Sequence, residues 1–110
     1  MLSIIPPRLA LIIIAARERT GPAPGAARDR LLDLIGACGP TEIAELVALA
    51  WIGRGDFDAA DFETALRQAR KLLGTRPVEY LVEMRDLAAY LERALGALGY
   101  KAEEFQILPA

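Results

Sequence analysis

The chain has 110 residues, a net charge of −2 and 54% hydrophobic residues, which is one domain's length, with enough apolar material for a core. The pI near 5.1 and the scatter of basic residues along the chain argue against a nucleic-acid binder with a broad phosphate-contacting face. Histidine is absent, which removes the commonest general base and the commonest metal ligand together; the single cysteine, Cys38, excludes an intramolecular disulfide and fits a reducing compartment.

The first element is a helix from Pro6 to about Arg19. Pro6 and Pro7 suit a first turn, where their missing N–H groups would be unpaired anyway. The apolar run Leu9–Ala16 is far short of the ~20 residues of a membrane span. Arg17, Glu18 and Arg19 follow it directly, unlike the small-residue cleavage site of a secretory signal. The segment therefore reads as a buried helix of a cytoplasmic protein. Leu9, Ile12, Ile13 and Ala16 share one face, while Leu11 and Ile14 point away from it. A helix apolar nearly all round needs partners on more than one side.

Thr20–Ala27 reads as a Pro/Gly-rich loop. The pattern then predicts a second helix over about Ala26–Ala37, with Leu31, Leu32, Leu34 and Ile35 inward. Gly39-Pro40-Thr41 breaks it. A third helix spans Pro40–Ile52, and its charge-free half, Leu46–Ile52, marks it as the central helix, with Trp51 buried at the middle.

The break that follows, Trp51–Phe62, reads WIGRGDFDAADF. Its Arg-Gly-Asp triplet is too short to argue attachment, and a calcium loop starting at Asp56 lacks both the glycine at position six and the glutamate at position twelve. Its carboxylates sit where water solvates all of them. Local rules instead give a structural corner. Gly53 supplies a left-handed end to the third helix, with Gly55 in the same break. Asp58 caps the fourth helix, Asp61 sits near a capping-box position, and Phe57 packs on Phe62 as a staple.

The fourth helix, about Ala59–Leu73, carries Phe62, Ala65, Leu66, Ala69, Leu72 and Leu73 on one face, with Glu63, Arg67, Gln68, Arg70 and Lys71 outward. Gly74 stands in the usual C-terminal position. A short fifth helix spans Pro77–Glu83, and a sixth, about Asp86–Leu98, is closed by Gly99. The tail, Tyr100–Ala110, alternates weakly at Phe105–Leu108 and offers a minor pairing with Leu2–Ile5. The prediction is an all-α, single-domain bundle of five to six short helices over residues 1–110.

Three blocks carry a resemblance: Leu2–Glu18, Glu45–Phe57 and Thr75–Gly99, with ELVALAWIGRGDF the most specific. In that order they resemble a bacterial, largely proteobacterial, family of small domains of unknown function. Ile5 stands where the family tends to have serine before the first proline, which leaves the first helix without a side-chain cap. Glu83-Met84-Arg85 stands where the family tends to carry Gly-x-Pro, which puts the break between helices five and six in question. The resemblance implies no activity.

The functional expectation is a cytoplasmic interaction or scaffold module, not an enzyme, with no catalytic, cofactor-binding or metal-binding residue. One stripe of the first helix packs on the third; Leu11 and Ile14 are left to a second copy across a two-fold axis. Competing readings are a small-ligand module or a helix-turn-helix using Arg67, Gln68, Arg70 and Lys71. The three aspartates of the connector oppose the second of these. Cys38 has no histidine partner and reads as a small buried hydrophobe, and Tyr80, Tyr90 and Tyr100 read as packing residues.

Overall fold

Prolines open the first helices. In the computed structural model, which describes residues 2–101, Pro6 begins α1 (Pro6–Glu18), Pro24 begins α2 (Pro24–Gly36), Pro40 begins α3 (Pro40–Arg54) and Pro77 begins α5 (Pro77–Val82). Between them, a 3-10 turn (Ala59–Asp61) leads into α4 (Phe62–Arg70), and α6 (Leu87–Ala97) completes the order. No strand occurs among the described residues, so the fold is an all-α bundle. Residues 102–110, including the tail segment expected to pair with Leu2–Ile5, lie outside the described residues.

The helix α3 is the axis. Ala44 to Ala50, Ile52 and Gly53 are all buried, and α4, α5 and α6 pack directly on it. Helix α1 packs chiefly on α2 and α6 rather than on α3, and α2 also reaches α5. The expected α1–α3 stripe is thereby corrected: α6 carries Leu87, Leu91, Ala94 and Leu95 on its buried face and stands where α1 was expected. A radius of gyration of 12.8 Å matches the ~13 Å of a domain this size, so these contacts close one core.

Among the described residues, one charged side chain is buried in that core: Glu45, 2% exposed. Its Oε1 accepts the backbone N–H of Ser3 at 2.9 Å and of Ile4 at 3.0 Å, and Oε2 accepts Ser3 again at 2.7 Å. Ile5, the residue before α1, provides no side-chain cap. The segment ahead of α1 is thus held by a side chain from α3, which seats Ile4 in the core at 2% exposed. A buried carboxyl is tolerated when its acceptor sites meet N–H donors.

Gly53 corrects the expected end of α3. It lies inside the helix, where a Cβ would stand 1.8 Å from the Tyr90 carbonyl oxygen. Only a glycine lets the backbones of α3 and α6 meet there, and Arg93 Nη1 donates to the Gly53 carbonyl at 2.6 Å. The left-handed residue is Gly55, φ 99°. Its N–H bonds the Ile52 carbonyl at 3.1 Å while that of Asp56 bonds Trp51 at 2.9 Å, the two bonds of a Schellman end. Gly99, φ 92°, ends α6 in the same way. Gly74 is not left-handed: α4 has already loosened into turns at Lys71.

Other boundaries differ locally. Helix α2 starts at Pro24, inside the expected loop, because a proline is a ready first residue. Helices α5 and α6 are separate, divided by the turn at Glu83–Asp86, where Arg19 Nη1 donates to the Met84 carbonyl at 3.3 Å.

Two glycines separate packing from propensity. Gly53→Ala is expected to cost about 3 kcal/mol, because backbone and not a yielding side chain blocks the methyl. Gly96→Ala, with nothing within 4 Å of its Cβ position, is expected to gain about 0.5–1 kcal/mol from helix propensity. Urea unfolding measures both. Glu45→Gln is expected to cost about 1–3 kcal/mol, since its amide N–H₂ would face the donors that a carboxylate oxygen accepts.

Candidate functional site

The corner after α3 places aromatic and polar side chains from three helices around one hollow. The Schellman end turns the chain back so that Phe57 stacks on Trp51, ring centroids 5.8 Å apart and planes 28° from parallel. From α5, the Tyr80 hydroxyl reaches across and accepts the Trp51 indole N–H at 2.8 Å. Arg54, one turn on from Trp51, donates Nε to Asp56 Oδ2 at 2.7 Å and Nη2 to the Tyr80 oxygen at 3.4 Å. The Asp56 carboxylate first, and the Tyr80 hydroxyl second, raise the Arg54 pKa further above its usual value. With Gln68 of α4 these residues line an open cleft of about 450 Å³.

The corner residues named from the sequence are distributed differently from the expectation. Trp51 is partly exposed and sits at the rim of the core, because its indole nitrogen needs a partner and finds it on Tyr80. Phe57 takes Trp51 as its ring partner, while Phe62 packs, half-buried, against the core. Asp58 stands before the 3-10 turn with extended backbone, but its side chain makes no capping bond. The first turn is closed by main chain instead, the Asp61 N–H bonding the Asp58 carbonyl at 2.9 Å. Asp61 likewise makes no side-chain cap for α4. A 3-10 start tightens the turn and leaves the expected capping geometry unformed.

Elsewhere, Cys38 is buried and its Sγ lies 3.5 Å from the Leu34 carbonyl oxygen. Burial pushes its thiol pKa up, the Glu42 carboxylate adds to this, and Arg8 opposes it. The thiol is thus protonated near neutrality and a poor nucleophile. Among the described residues no three acidic or cysteine side chains converge to hold a metal, and no helix is long and apolar enough to cross a membrane.

Leu11 and Ile14 lie together on the outer face of α1, 53% and 38% exposed, with Ile5 56% exposed just before the helix. The rest of α1 is spoken for: Leu9, Ile12, Ile13 and Ala16 are buried, Glu18 pairs with Arg30 of α2, and Arg17 pairs with Glu92 of α6.

The sequence reading does not single out Glu45, and it gives Tyr80 a packing role rather than the polar one it has. For Glu45 a signal was present, a lone charge at the head of a helix half otherwise free of charge. For Tyr80 none was, because its partners lie 29 and 26 residues away.

One family model, described as a protein of unknown function (DUF3775), matches residues 28–100. No curated protein and no solved structure matches the chain. The matched span contains every residue lining the corner cleft and begins after α1.

Asp58→Ala is expected to change stability by less than about 0.5 kcal/mol, as for a surface site without a partner. Tyr80→Phe is expected to cost about 1 kcal/mol, because the Trp51 indole N–H loses its acceptor. Thermal unfolding of the two variants, compared with the parent, checks both.

Proposed function

The chain belongs to the DUF3775 family of proteins of unknown function, and we propose that it serves there as a non-catalytic interaction module pairing with a second copy through α1. One observation carries this reading: among the described residues, the large exposed hydrophobic side chains, Ile5, Leu11 and Ile14, are all on α1 or its cap. Scattered apolar residues on a surface need no explanation. Confinement to one helix face invites a partner.

Helical spacing continues the face through Pro7, Leu11, Ile14 and Glu18. A two-fold axis passing between Leu11 and Ile14 sets two such helices antiparallel. Leu11 of one copy then meets Ile14 of the other. The apolar centre of this contact favours self-pairing. A credible interface buries at least ~1,000 Å² in total, more than one short helix pair supplies, so the start of α2 beside α1 joins the contact. The single buried, protonated cysteine suits a reducing compartment, and we place the module in the cytoplasm.

Light scattering at micromolar concentration is expected to give twice the 11.9 kDa chain mass. Ile14→Glu is expected to return a folded monomer with unchanged helical circular dichroism, since that side chain faces outward within the chain. A parent mass of one chain, unchanged on concentration, would overturn the pairing.

A further inference from the structure

The corner cleft holds polar capacity that the fold leaves unspent. Tyr80 Oη accepts from Trp51 Nε1 at 2.8 Å and from Arg54 Nη2 at 3.4 Å. A hydroxyl that accepts twice has only its own O–H left, directed away from both donors. Arg54 commits Nε and Nη2 to Asp56 and Tyr80, leaving Nη1 with two N–H groups that meet no partner among the described residues. Gln68 adds a carboxamide to the same lining. Donors therefore converge from α3, α4 and α5 beside an aromatic wall of Trp51 and Phe57.

Other hollows differ in this respect. Two along α1 have no aromatic side chain in their lining; Arg17, Glu18, Arg30 and Glu92 there are engaged in the Glu18–Arg30 and Arg17–Glu92 pairs, with Arg85 and Asp86 beside them in one hollow.

We propose that the corner cleft binds a small monocarboxylate with a flat apolar body, its carboxylate accepting from Tyr80 O–H, Arg54 Nη1 and the Gln68 amide. A carboxylate suits this donor set because its two oxygens accept from several N–H and O–H groups at once. Asp56 sets the upper limit on ligand charge. Its carboxylate already balances Arg54, so a dianion such as phosphate meets a site with no net positive charge and one repelling group. The flat body follows from the aromatic wall, and about 450 Å³ lies within the range of small-molecule sites. This site is separate from the outer face of α1 and does not depend on pairing there.

Trp51 is the sole tryptophan, so its indole N–H gives one NMR cross-peak that reports the cleft directly. Titration with phenylacetate or benzoate is expected to move that peak saturably, with Kd in the ~1–10 mM range suited to ligands of this size. Phenylacetamide and inorganic phosphate are each expected to bind at least tenfold more weakly. Tyr80→Phe should weaken phenylacetate at least tenfold. Gln68→Ala, an exposed change with no structural bond to lose, should weaken it severalfold while the fold stays intact, so the test survives even if Tyr80→Phe unfolds the chain. Absence of saturation by both acids, a Kd indifferent to both substitutions, or tighter binding of phosphate or phenylacetamide would each overturn the proposal.

Discussion

A helix without a polar face has no stable exposed state, and α3 is such a helix from Ala44 to Ala50. Each turn of it left in water would forgo the apolar burial that stabilises the rest, roughly 1.5–3 kcal/mol for each large aliphatic side chain. The remaining elements are arranged around that demand. Helices α4, α5 and α6 cover its sides, and Glu45 draws the segment before α1 over the remaining surface. At Gly53 the α6 backbone lies against that of α3 with no side chain between them.

The corner follows from the same enclosure. Because α3 is buried up to Gly53, it has to end abruptly, and Gly55 supplies the left-handed residue that allows this. The reversal lifts Trp51, Arg54 and Phe57 to the rim of the core, where α5 presents Tyr80. An indole N–H at a core boundary needs an acceptor. The hydroxyl that provides it also takes Arg54, and so ties α3 to α5 in one polar cluster at the edge of an apolar bundle. Rigid side chains held from separate elements are what a ligand site requires, whereas the outer face of α1 offers only area.

The helices were legible because their signals are local. Proline at the first turn, apolar residues at a 3.6-residue period and Gly99 after α6 each act within a few residues, and the burial of Leu46–Ala50 and Ile52 follows from their lack of charge. What escaped depended on distant neighbours. Gly53 and Gly55 look alike in the sequence; their roles divide only because Tyr90, 37 positions after Gly53, comes to lie against the first. Trp51 read as central since nothing nearby showed that its nitrogen would reach Tyr80. Asp58 and Asp61 read as caps by pattern, yet the 3-10 turn satisfied its own main chain. Nothing near Glu45 in the sequence marks its role, because its partners, Ser3 and Ile4, are more than forty residues away.

Native-state hydrogen exchange tests the enclosure of α3 most directly. If α3 is the axis on which the other helices close, the amides of Val47 to Trp51 exchange only through global unfolding, with an opening free energy equal to that from urea denaturation. Amides of α1 and α4 then exchange through smaller, partial openings. Exchange in α3 at a lower free energy than in α1 or α4 would contradict a structure organised around that helix.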